Sequence, residues 1–185
     1  MKKGLIALIA IVVVFVIWGF SGYNSLVTLN ENVDAEWSKV ETQYQRRFDL
    51  IPNLVNSVKG ILTQEQTIFG DIADARTRYA GATTPNDKAA AASQVESTLG
   101  RLLVIMENYP QLNSSANVAD LMTQLEGTEN RISVERIRFN DAIRAYNTTI
   151  KRFPKNLLAA VTGFSERAYF EAVTGAETAP SVNLE

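Results

Sequence analysis

Cysteine and histidine are both missing from the 185-residue sequence. Without them there is no disulfide framework, no zinc site of the Cys/His type, no thiol nucleophile and no Ser-His-Asp triad. Charge of one sign is missing too. Charged residues make up 21% of the chain and the net charge is −2, so no basic footprint for nucleic acid exists, and none is expected as a partner. Proline and glycine are sparse, and no glycine-rich loop follows a strand, because no period-two run reads as a strand. Carboxylate-based hydrolysis and carboxylate-bound magnesium or calcium survive these exclusions. The acids Asp120, Glu126, Glu129 and Asp141, however, lie along one helical segment without the Glu-x-x-His pair of a di-metal carboxylate site. No catalytic residue, metal or cofactor is assigned, and the expectation is a protein that is not an enzyme.

What the sequence has in quantity is apolar surface, concentrated first at the N-terminus. GLIALIAIVVVFVIWGF (residues 4–20) follows Lys2 and Lys3, and no charge returns until Glu31. About 20 apolar residues cross a hydrocarbon core, and residues 4 to 23 meet that length. Leu5, Ile9, Val13 and Ile17 would face lipid, with Trp18 and Tyr23 at the interface where amphipathic rings belong. Gly19-Phe20-Ser21 is a weak match to a signal-peptidase site, and the run is longer and more β-branched than a cleaved leader. Residues 1–22 are therefore read as an uncleaved signal anchor in a cytoplasmic (inner) membrane. Lys2 and Lys3 before the span, against Lys39 amid acids after it, place the N-terminus inside and the remaining domain outside by the positive-inside rule.

Beyond the anchor the periodicity is helical. Steps of four and three run through Leu26, Asn30, Val33, Trp37, Val40, Tyr44, Arg47 and Ile51. They continue through Leu54, Val58, Ile61, Glu65, Ile68, Ile72, Ala75 and Tyr79, apolar except at Asn30, Arg47 and Glu65. That is the seam of helices packed side by side, as in coiled coils. A second seam holds Ala92, Val95, Leu99, Leu102, Met106 and Tyr109. A third begins at Val118, Leu121, Leu125 and Ile132 and ends at Phe139, Ile143, Tyr146, Ile150 and Phe153. From Pro154 to Val173 a short amphipathic stretch carries Leu157, Leu158, Val161, Phe164, Tyr169 and Phe170. Turn residues separate them in AGATTPND (80–87), NYPQLNSSAN (108–117) and RFPKN (152–156).

The expected fold is all-α: an N-terminal transmembrane helix, then an elongated antiparallel bundle of the four-helix type over residues 23–173, then a flexible tail at 174–185. Because the first seam keeps phase through Pro52, one helix over 23–80 is expected to kink there rather than break. A straight helix of that length outruns its partners, so either the bend or a second chain covers the membrane-near seam. Gly127 would permit close helix approach or a local bend in the third segment.

QRRFDLIPNLVNSVKG (45–60) holds the main polar intrusion. Arg46 and Asp49 are three apart and can pair on one surface. Arg47 lies on the seam itself and must meet a carboxylate, with Glu129 and Glu107 as candidates. Asn53 and Asn56 are placed to bond the carbonyls that Pro52 frees. The cluster reads first as an ion pair setting helix register around the kink, and second as an anion or lipid-headgroup site at Arg46 and Arg47. Asn30 and Glu65 read as buried polar groups that select partner and register.

The sequence resembles the LemA family of membrane-anchored helical bacterial proteins. The likeness runs from YNSLV (23–27) to ERAYF (166–170), by way of Trp37, RRFDLIPNLV (46–55), VKG (58–60), ENYP (107–110), ENRI (129–132), AYN (145–147) and RFP (152–154). The resemblance implies a single-span protein with an all-helical domain, no established catalytic activity and no known cofactor. It implies protein partners, such as membrane quality-control components of the metallopeptidase kind, and its superfamily includes a magnetosome-associated relative. A membrane-tethered scaffold or adaptor is the function the resemblance favours, with a homo-oligomer compatible with the anchor and seams; the alternative is a sensory or ligand-binding helical module with its anion or lipid-headgroup site near Arg46 and Arg47.

Overall fold

A computed structural model describes residues 2–62 and 66–170. All its regular structure is helical: α1 (Lys2–Lys59), α2 (Gln66–Gly81), α3 (Pro85–Glu107), α4 (Pro110–Asn113), α5 (Ala116–Lys151) and α6 (Lys155–Thr162). The long seams of the sequence account for α1, α2, α3 and α5. Glu65 and the expected tail at 174–185 lie outside the described residues.

α1 is continuous through Pro52, as the unbroken phase of the seam implies. The expectation of one helix from 23 to 80 is nevertheless corrected, because α1 stops at Lys59 and α2 begins only at Gln66. Gly60 follows the last helical residue, and the Val58 carbonyl accepts both the Ile61 and Leu62 amides at 3.0 and 2.9 Å. This tightening shifts the side-chain phase by one position. Ile61, assigned to the seam, is 40% exposed, and Leu62 is fully buried in its place. The apolar stripe resumes at Ile68, Ile72 and Ala75 in α2.

Contacts divide the described residues into two units. One joins residues 40–62 of α1 to α2, α3, α4 and α5 up to residue 134. Its core is built from Val40, Tyr44, Ile51, Leu54 and Val58 of α1, Ile72 of α2, Val95 and Leu102 of α3, and Ile132 of α5. Tyr79 of α2 sets its ring edge-on to Tyr44 and Phe48, with centroids 5.5 and 4.4 Å away. α3 starts cleanly because Thr84 caps it: the Asp87 amide donates to Thr84 Oγ1 at 3.1 Å, and Pro85 occupies the first turn.

The other unit joins residues 2–39 of α1 to residues 135–169. Here α1 and α5 run antiparallel: Trp37 meets Phe139 with centroids 5.2 Å apart, while Ser25, a dozen residues earlier, accepts from Lys155 Nζ just beyond α5. Leu26, Val33, Ile143 and Tyr146 fill the core. α5 ends at Lys151, and a cis Phe153–Pro154 bond leads into α6. Two expectations fail there. Phe153, assigned to the α5 seam, is 79% exposed because the helix has already ended. The stretch read as amphipathic from 154 is helical only to Thr162: Gly163 takes the left-handed conformation (φ 80°) and turns the chain out of the helix, while its own amide and that of Phe164 both donate to the Ala159 carbonyl. Gly127 permits no close helix approach of the kind expected, since a Cβ there would meet nothing within 4 Å, and α5 continues through it.

Candidate functional site

Arg47 is the residue from which any site must be built, since it is 3% exposed on the core face of α1. Leaving a guanidinium buried and unopposed would cost several kcal/mol, roughly 3–5 by analogy with broken buried pairs. Two helices supply the opposing charge. Glu129 of α5 forms an ion pair with Arg47 Nη2, and Glu96 Oε2 of α3 stands 4.0 Å from Nη1. One side chain thereby ties α1, α3 and α5 at a single level.

Of the carboxylates expected for Arg47, Glu129 is the one the fold delivers, and Glu107 takes no part in this ion pair. Glu96 escaped the sequence reading because it flanks the seam residue Val95, where a carboxylate reads as surface. Arg46 faces solvent. Asp49 accepts from Gln45 Nε2 at 2.8 Å, one turn back, where pairing with Arg46 was expected. Asn53 is exposed, and its carbonyl accepts from Ser57 Oγ at 2.8 Å. Pro52 is half-buried beside the fully buried Ile51 and Leu54.

Next to Arg47 lies a cavity of about 210 Å³, walled by Leu54, Leu99, Leu103, Met122 and Leu125 and rimmed by Glu96, Glu126 and Glu129. Its walls are apolar and its rim carries more negative than positive charge. An anion placed there would meet three carboxylates, Glu96, Glu126 and Glu129, beside a guanidinium already matched to Glu129. Among the described residues no cluster of His, Cys, Asp or Glu side chains could hold a metal ion.

A second polar constellation, unforeseen as a site, accounts for two landmarks of the sequence. In AYN (145–147), Asn147 is buried and clamps the backbone of Arg167: its Nδ2 donates to the Arg167 carbonyl at 2.8 Å and its Oδ1 accepts the Arg167 amide at 2.9 Å. Tyr146 donates its hydroxyl proton to the Ser165 carbonyl at 2.9 Å. Arg167 in turn pairs with Asp34 of α1, and Lys151 reaches Glu166 at 2.8 Å. These bonds hold a chain segment without helix or strand structure of its own, so helical periodicity gave no signal for them.

The anchor residues Leu5, Ile9, Val13, Ile17 and Trp18 are all exposed, and α1 is the one described helix long and apolar enough to cross a membrane. None of its most apolar 18-residue window is covered by the rest of the chain. So much bare apolar surface on one helix suits a bilayer, and the chain is membrane-associated.

Comparison with known proteins gives a match of the LemA family's sequence profile to residues 36–184. Magnetosome protein MamQ 2 of Paramagnetospirillum magneticum is 30% identical over 193 aligned positions, covering 90% of this chain and 71% of the relative. Magnetosome protein MamQ of Magnetospirillum gryphiswaldense is 29% identical over 182, covering 84% and 67%.

Proposed function

The chain belongs to the LemA family, and from that premise we propose that it is a non-enzymatic scaffold or adaptor of the bacterial envelope, acting through protein contacts. The observation that carries this reading is the internal use of Arg47. The strongest candidate for chemistry in the sequence is consumed by Glu129 and Glu96, and it sets helix register rather than presenting a reactive group. Neither the family's description nor the relatives' names is that of an enzyme, which supports the same reading.

In this proposal residues 1–22 are a single-pass anchor in the cytoplasmic membrane, 23–173 form an antiparallel bundle of the four-helix type outside it, and 174–185 are a tail. The bundle is the contact surface. Its partners are other membrane proteins, with the quality-control class that the resemblance implies foremost, or a second copy of the chain. An anion or lipid-headgroup site at Arg46 and Arg47 is disfavoured by the carboxylate rim around Arg47.

Crosslinking in native membranes, followed by purification of the full chain and of a form lacking residues 1–22, tests the proposal. A defined protein captured by the full chain at stoichiometric yield is the expected result. Recovery of the chain alone, as an uncrosslinked monomer, would remove the scaffold reading.

A further inference from the structure

α6 leaves its most apolar side uncovered. Leu157 and Val161, one turn apart on α6, are 58% and 86% exposed, and Phe153 just ahead of the helix is 79% exposed, while Ala159 on the opposite side is buried. A soluble helix end has no reason to present these residues to water, since each large apolar side chain is stabilised by leaving it.

What lies beside them is the point where α1 leaves its apolar run. Leu158 Cδ2 comes so close to Gly22 that a Cβ on that glycine would sit 2.8 Å from it. Lys155 Nζ donates to Ser25 Oγ at 2.8 Å, and the Phe164 ring lies 5.9 Å from that of Tyr23. α6 is thus pinned at the level of residues 22–25, about 27 Å along the helix from Gly4, close to the roughly 30 Å of a hydrocarbon core. Trp18 and Phe20, one turn or less before Gly22 on α1, are exposed as well. Arg152, exposed beside Phe153, has the long stem and charged head that suit the headgroup layer.

We propose that α6 is a second membrane contact: an interfacial helix whose Leu157 and Val161 side, with Phe153 just ahead of it, enters the headgroup and upper acyl region of the bilayer that α1 spans. The proposal rests on the anchor reading of residues 1–22. It does not depend on which side of the membrane carries the domain.

The absence of native cysteine makes the test clean. Val161→Cys, Arg138→Cys and Val13→Cys are each made in the full chain, labelled with an environment-sensitive fluorophore and reconstituted in phosphatidylcholine vesicles with or without doxyl-labelled lipid. Arg138 lies on the exposed side of α5, one residue from the level of Trp37. The expected result is strong lipid quenching at 13, several-fold stronger quenching at 161 than at 138, and protection of the 161 label from aqueous iodide. Adding Leu157→Asp to the 161-labelled protein, with helical content unchanged, should reduce the lipid quenching several-fold.

Quenching at 13 without quenching at 161 overturns the interfacial helix and leaves the anchor standing. A 161 label shielded from both lipid and iodide overturns it as well, since a protein then covers the face. Quenching at 161 that survives Leu157→Asp overturns the role assigned to this face. No quenching at 13 removes the anchor, and the inference with it.

Discussion

At the scale of single residues, Arg47 combines two properties that rarely coincide, near-complete burial and full charge. Its place on the α1 seam was legible in the sequence, and so was its need for a carboxylate. The choice among carboxylates was not, because helical period fixes the face of a residue and says nothing of axial offset between helices. Glu129→Ala should destabilise the fold by on the order of 2 kcal/mol. The roughly 3–5 of a fully buried pair is too much here, since the Glu129 side chain keeps 38% of its exposure. Replacing both partners, Arg47→Met with Glu129→Leu, should recover most of that loss. Chemical unfolding of the full chain in micelles, followed by circular dichroism, measures both.

Tyr79 offers a second residue-scale test. Burial, then the nearby Glu41 carboxylate and Tyr44, raise its hydroxyl well above the ordinary value of 10.0. A pKa higher in the folded than in the unfolded chain means that the unfolded chain gives up this proton first. The contribution to stability is therefore intact below about pH 10 and declines as pH climbs above it. Tyr79→Phe should flatten this alkaline loss in a melting-temperature profile from pH 8 to 11. Tyr146, also raised by burial, accounts for a remaining slope.

Among elements, the long helices were readable because each presents a sustained apolar stripe to a core. Phase through Pro52 identified α1 as continuous there, and the turn TTPND marked the start of α3. Thr84→Ala removes that cap and should cost about 1 kcal/mol, visible as a lowered unfolding midpoint. Short elements were less legible. Gly60 ended α1 although an apolar residue stood at the next expected position, and a slip of one residue was enough to exchange Ile61 for Leu62. α6 failed as a packed helix for a related reason: its pattern is amphipathic, yet the uncovered side is the apolar one. Periodicity finds the stripe but cannot name the medium it faces. The Asn147 clamp on Arg167 had no periodic signature at all, since it pairs a side chain with backbone twenty residues on.

For the whole molecule, composition spoke mainly by exclusion. Lacking histidine and cysteine, the chain had few routes to chemistry, and the apolar N-terminal run pointed to a membrane. Orientation is the whole-molecule property still open to direct measurement. With the N-terminus inside, protease added to intact spheroplasts should digest the domain and spare a fragment containing residues 1–22. Full protection until the membrane is permeabilised would reverse the topology.

Helical backbone continues from the apolar run past Gly22, where Leu158, Lys155 and Phe164 brace it. A chain joined to its span by a loose linker explores every tilt and wastes most encounters. If residues 1–22 are the anchor proposed above, this continuous helix gives residues 23–39 and the helices packed on them one presentation toward the lipid plane. Confinement to that plane raises the effective concentration of any neighbour held in the same bilayer, and fixed presentation removes much of the rotational search. Contacts too weak to register between freely tumbling molecules can then assemble on the membrane.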